Sequence, residues 1–440
     1  MAGDTATLRV DRLVHQGMGL GRVQGRIWLV PFTAPGDLIE AVAEKVRPGH
    51  VEARLVRVLE PGADRVQAPC PWYGECGGCH LQHLREDRQP GRKAEVLRDV
   101  LARIGGITSP EPVLRSGSPW HWRGRVEVHG EVQQGRWRLG FFRRGSKDLV
   151  EVRECPIARG VLATLPGELA TALQGVPARG PVSLELVLGE DGRAVAVARG
   201  EFPSPALLAK RLLGLPAIRG TLVRDRGTWV SSGACEVRIP TDDGRGARTL
   251  VPTDPRGFSQ AHLDLNPLLA GRVRELVEAS PGTRVLELHA GSGNLTLPLA
   301  LAGAVVTAVE VNAEAVRSGA QETSHRGLEV RWVALAVESL PGRPDLWQDQ
   351  EVLVMDPPRT GLGTALARAL AALPFRRIVW VSCDPAPLAR DLRPFLEGPF
   401  RLDALEMWDL FPQTFHLETL VRLRRAATPE PDDSGNRSRD

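Results

Sequence analysis

The first sixty residues alternate apolar and polar positions in short runs, which predicts strands at Thr7–Leu13, Gly25–Val30, Asp37–Val46 and Val51–Leu59. Gly17, Gly19, Gly21 and Gly25 mark tight turns among them. About five strands in so short a span suit a small barrel of OB type, or another small β module. The spacing turns helical over Lys93–Ile104, alternates again from Arg123 to Arg153 and through Val182–Arg199, and is helical at Ser204–Leu213. Further strands are expected at Thr221–Val230 and Ala234–Ile239, so residues 115–252 read as a separate, mainly β unit.

From Thr253 onward, short apolar runs alternate with helical spacing. Arg284–His289, Val305–Glu310, Glu351–Asp356 and Arg377–Ser382 read as buried strands, and Asn294–Ala302 as a helix. Such repetition implies a mostly parallel, doubly wound sheet. The fold expected is therefore α/β, in three units. An OB-type barrel spans 1–61, a central mainly β unit spans 62–252, with part of 85–112 packing on the catalytic unit, and the α/β catalytic unit spans 253–425. Residues 426–440 hold almost nothing apolar and read as a disordered tail.

Composition narrows the class. Of 440 residues, 42% are hydrophobic and 25% charged, the balance of a globular protein with a sizeable core. Lys and Arg number 56 against 53 Asp and Glu, so any nucleic-acid surface must come from local clustering. Only Lys45, Lys93, Lys147 and Lys210 are lysines; the other cations are arginines. Met1–Val10 lacks an apolar core for export, and the longest apolar stretch, Leu295–Val309, is too short to span a bilayer. Six cysteines without an export signal point to a reducing, cytoplasmic setting with no membrane partner.

Four groups of residues carry candidate chemistry. In the first, Glu287-Leu-His-Ala-Gly291-Ser-Gly293-Asn294 lies where a strand yields to a helix, and Glu310 ends the next strand 17 residues after Gly293. Glycines there let the backbone approach a nucleotide-like ligand, and an acid at that distance accepts bonds from ribose hydroxyls. Thr296 stands where a dinucleotide fingerprint would place its third glycine; an acid preceding Gly-x-Gly instead resembles the S-adenosylmethionine site of class I methyltransferases. In the second, Asp356-Pro357-Pro358-Arg359 ends a later strand; Arg359 replaces the aromatic that amino-group methyltransferases place there. In the third, Cys383, between a strand and a helix, is a candidate nucleophile whose pKa a helix N-terminus would lower. In the fourth, Cys70, Cys76, Cys79 and the distant Cys155 make four thiolate ligands, for which spacing alone leaves zinc and a 4Fe-4S cluster open. Cys235 is left over as a strand residue. Between Trp120 and Lys147, seven cations against two glutamates interleave with aromatics. That mixture suits either single-stranded RNA or a sheet with one aromatic core face.

Together these residues resemble the RNA uracil-5-methyltransferases, especially the iron–sulfur members acting on 23S ribosomal RNA. The N-terminal barrel looks like a TRAM domain, and Cys-Pro-x4-Cys-Gly-Gly-Cys is close to the family's cluster motif. Phe258-Ser-Gln260, the Gly-x-Gly-Asn-Leu-Thr loop, Ser382–Asp391 and Phe411–Glu418 are similar to its substrate, cofactor, nucleophile and general-base motifs. The resemblance implies Cys383 as nucleophile and Glu418 as base, with Gln260 and Asp356 orienting the uracil. Gln260, Glu287, Gly291, Gly293, Asn294, Glu310 and Asp356 would surround S-adenosylmethionine. Cys70, Cys76, Cys79 and Cys155 would hold a 4Fe-4S cluster, remote from the methyl-transfer site. The implied partner is RNA, 23S ribosomal RNA before transfer RNA, met by a monomer. Three positions depart from the family: His262 replaces Asn, which could alter uracil contacts; Ala290 replaces Cys; and Asp384 replaces Asn. The competing classes are a non-catalytic RNA-binding cluster protein and a 5-methylcytosine enzyme. The first would lack Cys383 or Glu418, and the second would carry a different nucleophile motif and a second nearby cysteine.

Overall fold

The computed structural model describes residues 3–426, so the tail expected at 426–440 lies, but for its first residue, outside the described residues. The N-terminal alternation folds as β1 (Thr5–Val14), β2 (Met18–Val23), β3 (Arg26–Val30), β4 (Leu38–Val46) and β5 (His50–Glu60), closed into a barrel in the order β1-β2-β3-β5-β4. β2 is the strand hidden among the glycines. A Cβ on Gly19 would sit 1.9 Å from Thr33 Oγ1 and one on Gly21 2.4 Å from the Arg9 carbonyl, so close strand crossing demands glycine there. Leu8, Val10, Trp28, Val30, Ile39 and Val51 fill the barrel. Asp37, fully buried, accepts from Ala34 N (2.6 Å), Gly62 N (2.7 Å) and Arg65 Nη2 (2.6 Å), fastening the barrel's exit to the cysteine-rich segment.

That segment leads into α1 (Gln89–Gly105) and the short β6 (Val113–Ser116). Ala94, Leu97, Leu101 and Ile107 share a core with the C-terminal sheet. The central sheet runs β13-β12-β11-β10-β7-β8-β9, from β7 (Arg125–Gln133), β8 (Arg136–Phe142), β9 (Leu149–Val150), β10 (Arg179–Leu188), β11 (Ala194–Glu201), β12 (Ile218–Asp225) and β13 (Thr228–Gly233). Helices α2 (Leu165–Ala172) and α3 (Pro205–Leu213) accompany it, α3 crossing between the parallel pair β11 and β12. The single strand expected over Thr221–Val230 is a hairpin. Arg226 and Gly227, at φ 46° and 90°, make a two-residue turn of the kind that matches strand twist. Trp122 and Trp137 are buried, with Trp137 Nε1 donating to Val176 O at 2.7 Å. These two rings therefore belong to the core and are no stacking platform for bases.

β14 (Val237–Asp242) and β15 (Arg248–Thr253) form a ribbon outside the central sheet. It lies against α4 (Leu265–Val277) and α6 (Ala313–His325), tied by Asn266 Nδ2 to Pro240 O (2.7 Å) and Arg238 Nη2 to Glu322 Oε1 (2.5 Å). The strand expected at Ala234–Ile239 thus packs on both units, Val237, Ile239 and Val251 sharing the core of the central sheet.

The C-terminal sheet has the order β18-β17-β16-β19-β20-β22-β21-β6. Its strands are β16 (Arg284–Leu288), β17 (Val305–Glu310), β18 (Val330–Ala334), β19 (Val352–Met355), β20 (Arg377–Ser382), β21 (Phe400–Asp409) and β22 (Glu418–Arg425), with β6 added at one edge. Helices α5 (Thr296–Leu301), α7 (Pro344–Trp347), α8 (Thr364–Ala371) and α9 (Pro385–Glu397) complete the alternation. Only β22 runs against its neighbours, so it begins at the edge where the parallel strands end. That reversal puts Glu418, the first residue of β22, among the strand-end residues. Among the described residues no helix is long and apolar enough to cross a membrane.

Candidate active site

The carboxyl edge of the C-terminal sheet gathers the expected residues. After β16 the chain leaves extended geometry at His289 (φ 59°), then passes Gly291 (φ 55°) and Gly293 (φ 102°). A Cβ at Gly291 would meet nothing within 4 Å, so the loop faces open space. Glu310 accepts from Gly291 N (3.0 Å) and Asn312 N (2.9 Å), which fixes its carboxylate beside that space with lone pairs left over. Such a loop and acid fit the ribose and amino-acid parts of S-adenosylmethionine. Two residues expected at the cofactor also brace the loop. Glu287 is buried under it, accepting from Thr296 Oγ1 at 2.7 Å, and burial pushes its carboxyl up to about 8. Asn294 exchanges two hydrogen bonds with Asn266 (2.7 and 3.0 Å), so its amide is engaged by α4. The departure at Ala290 is buried, in the core cluster that also holds Leu299 and Val306.

The antiparallel register of β20 and β22 sets Ser382 opposite Thr419, which brings Cys383 beside Glu418. Asp356, following β19, reaches the same corner. Burial first, then the carboxylates of Glu418 and Asp356, push the Cys383 thiol up to about 12 against the opposing Arg359 guanidinium. The helix N-terminus expected to lower this pKa does not prevail. Asp384 caps α9, taking Ala386 N at 3.0 Å, and adds another negative charge beside the thiol. Burial also raises Asp356, to about 7, and lifts Glu418 well above the carboxylate range, with Asp356 adding to the latter shift and Arg359 resisting it. Among the described residues, Glu418 Oε1 has no hydrogen-bond partner, although the side chain is buried.

Gln260 is also buried, at the end of the loop after β15, while Phe258 two residues earlier is 81% exposed. His262 does not face a ligand. It is 1% exposed, stacks on Trp122 with centroids 5.6 Å apart, and accepts Leu265 N on Nδ1 at 3.2 Å, capping α4. Asn is a strong capping residue, so His262 takes over a structural task that Asn would also perform.

Cys70, Cys76, Cys79 and Cys155 all line one cavity of about 590 Å³, bounded by the cysteine-rich segment and the central sheet. Arg123, Arg143 and Arg144 line it too. Among the described residues Arg144 Nη1 and His80 Nδ1 are buried without partners, and no three His, Cys, Asp or Glu side chains converge as they stand on a metal ion. Glu127 and Glu154 line it as well, so three guanidiniums stand against two carboxylates, and four thiols with that small cationic excess and spare donors fit an anionic thiolate-bound group. The cavity is not remote from the catalytic corner. Phe415, three residues before Glu418, forms part of its wall, and the His80 ring lies 4.6 Å from that of Phe415. The barrel arrives here as well, His15 Nε2 lying 3.7 Å from Asp384 Oδ1.

Sequence reading missed Lys93, Gln413 and the electrostatic part of Arg359. Lys93 carried one usable signal, being a lone lysine at a position where helical spacing calls for an apolar residue.

Residues 345–426 match the tRNA (Uracil-5-)-methyltransferase family model, and residues 1–56 match the TRAM domain. The chain is 32% identical over 437 residues to the 23S rRNA (uracil(1939)-C(5))-methyltransferase of Alkalilimnicola ehrlichii, covering 96% of each. It is 32% identical over 427 residues to the protein of the same name from Shewanella amazonensis, covering 94% of each. The crystal structure of the tRNA (uracil-54, C5)-methyltransferase of Pyrococcus abyssi, in complex with S-adenosyl-L-homocysteine, has the same fold. Its TM-score is 0.71 at 22% identity, over 95% of this chain and 99% of that one. With its barrel, its strand-end acids and its paired Cys383 and Glu418, the chain belongs to the TRAM-containing RNA uracil-C5-methyltransferase family.

Proposed function

We propose that the chain transfers a methyl group from S-adenosylmethionine to carbon 5 of a uridine in RNA, with 23S ribosomal RNA as substrate. The observation that carries the chemistry is the β20–β22 register, which sets Cys383 beside Glu418 in a corner shared with Asp356. The near full-length relatives named for 23S rRNA favour that substrate over transfer RNA.

Carbon 5 of uracil is a weak nucleophile. The sulfur of Cys383 adds to carbon 6 while its proton passes to Asp356, and carbon 5 of the resulting enolate attacks the methyl, whose bond to the sulfonium sulfur breaks to leave S-adenosylhomocysteine. S-adenosylmethionine supplies that methyl in electrophilic form on a sulfonium. Gly291, Gly293 and Glu310 hold it, with Glu287 and Asn294 bracing the loop. Glu418 then takes the proton from carbon 5, the carbon 5–carbon 6 double bond re-forms, and the carbon–sulfur bond breaks to release Cys383. A buried carboxylate with raised proton affinity and an unengaged oxygen suits that step. Gln260 and Asp356 orient a uracil turned out of the RNA, and the exposed ring of Phe258 is placed to contact neighbouring bases.

Cys70, Cys76, Cys79 and Cys155 hold a 4Fe-4S cluster in this reading, the cavity cations offsetting its negative charge. The chemistry above draws no electron from it, and metal–thiolate bonds would join the cysteine-rich segment to the central sheet. The chain acts in the cytoplasm as a monomer.

Glu418→Gln should permit methyl transfer and block elimination, trapping a protein–RNA adduct visible on denaturing gels. Release of methylated RNA at the normal rate would refute the base assignment. Mass spectrometry of 5-methyluridine in ribosomal and transfer RNA from a deletion strain identifies the substrate; loss from transfer RNA alone would overturn the choice of 23S RNA. Iron and acid-labile sulfide assays after anaerobic purification test the cluster. One zinc and no sulfide would replace it with a zinc site.

A further inference from the structure

Lys93 is only 3% exposed, and all three of its ammonium protons are engaged. Nζ lies 2.7 Å from Asp409 Oδ1, 3.0 Å from Phe411 O and 2.8 Å from His416 O. These partners stand at both ends of the 410–417 connection, whose next residue is Glu418. One turn earlier on α1, Gln89 takes Gln413 N at 3.0 Å and donates to Gln413 Oε1 at 2.9 Å, while its amide also reaches Leu81 O and Leu84 O. Gln413 O accepts from His80 N (2.8 Å) and Leu81 N (3.0 Å), immediately after Cys79. Buried ion pairs are seldom the most stable filling for a core site, so this arrangement reads as a geometric constraint.

We propose that Lys93 is a positioning residue for the elimination step, fixing the loop that presents Glu418 and tying it, with Gln89, to the four-cysteine segment. The inference rests on the reading of Glu418 as base. A side chain that merely stabilised the fold would affect every step alike. One that aims the base affects removal of the carbon 5 proton, and the carbon–sulfur cleavage that follows it, more than methyl transfer.

The test compares Asp409→Asn, the double variant Lys93→Met/Asp409→Asn, and Glu418→Gln in single turnover on ribosomal RNA with labelled methyl donor. Asp409→Asn keeps the bonds from Lys93 to both carbonyls, and the double variant removes them without leaving a buried carboxylate unpaired. In the double variant, methylated adduct should persist and elimination slow about tenfold or more relative to Asp409→Asn, with methyl transfer, RNA affinity and iron content changing by less than about threefold. An unchanged ratio of elimination to transfer overturns the proposal. If the double variant does not fold by circular dichroism, Gln89→Leu undergoes the same measurement, and an unchanged ratio there has the same meaning. If Glu418→Gln traps adduct and these variants do not, only the positioning role fails. If Glu418→Gln traps none, the base assignment fails first.

Discussion

Cys79 and Cys383 are both thiols that burial pushes up to about 12, yet they face opposite surroundings. Around Cys79 and its companions stand other thiols and the guanidinium groups of Arg123, Arg143 and Arg144, which outnumber Glu127 and Glu154 on the same wall. Around Cys383 stand Glu418, Asp356 and Asp384, with Arg359 as the opposing charge. Burial alone makes an inert thiol in either place. The cavity of several thiols is the site proposed for a metal centre, which would deprotonate its ligands outright. In the proposed reaction the Cys383 thiol keeps its proton until its sulfur bonds to carbon 6, when Asp356 takes that proton and Glu418 stays free for the one on carbon 5.

The largest effects should divide along this line. Cys383→Ala should reduce methylation by roughly 10³-fold or more while leaving iron content and melting temperature near those of the parent. Cys155→Ser should do the converse. Iron is lost, the melting temperature and RNA affinity fall, and turnover of bound RNA drops by less than about tenfold, chiefly at elimination, because the cysteine-rich segment touches the Glu418 loop. A Cys155→Ser protein that keeps its iron and sulfide would end the contrast between the two thiol environments.

A smaller effect tests the protonation states directly. Alkylation of Cys383 by iodoacetamide, read by peptide mass spectrometry without RNA, should be slow at pH 8 and climb through pH 10, since only the thiolate reacts. Glu418→Gln removes a repelling carboxylate, which lowers the thiol pKa. Its alkylation curve should move to lower pH, giving a rate several-fold higher at pH 9. A thiol that alkylates fully at pH 7 would show that the helix N-terminus dominates after all.

Much of this corner was legible in the chain, for physical reasons that also explain what was not. Strand ends in a doubly wound sheet share one edge, so Glu310, Asp356 and Cys383 could be grouped from pattern alone. Glu418 required the family motif, because nothing local says that β22 runs backwards and starts at that edge. Asn294 sits in the cofactor loop, but its amide pairs with Asn266, 28 residues away, and only packing reveals that. Period-2 alternation could not say which face of β8 is core, so Trp137 was equally readable as a base-stacking ring. Lys93 stood out only as a lone lysine on the apolar face of its helix, and nothing local named its partners, which follow more than 300 residues later. The burial that dominates the Cys383 pKa is a tertiary property, and the sequence showed only the helix that follows.

The finest division between the two environments turns on Arg359, an exposed guanidinium on the loop after Asp356 that holds down both the Cys383 thiol and the Glu418 carboxyl. Arg359→Gln should raise both affinities for protons. At pH 9 the Cys383 thiolate becomes scarcer and alkylation slows. Solvent screens an exposed cation, so the change should be no more than about one pKa unit, tenfold at most in rate. Raising the salt in the parent protein should reproduce part of the slowing, whereas Arg359→Lys should retain the parent rate. Arg359 could instead serve only by gripping RNA phosphates. Arg359→Gln would then weaken RNA binding and leave alkylation without RNA at the parent rate. That outcome would assign the thiol's electrostatics to burial and the carboxylates alone.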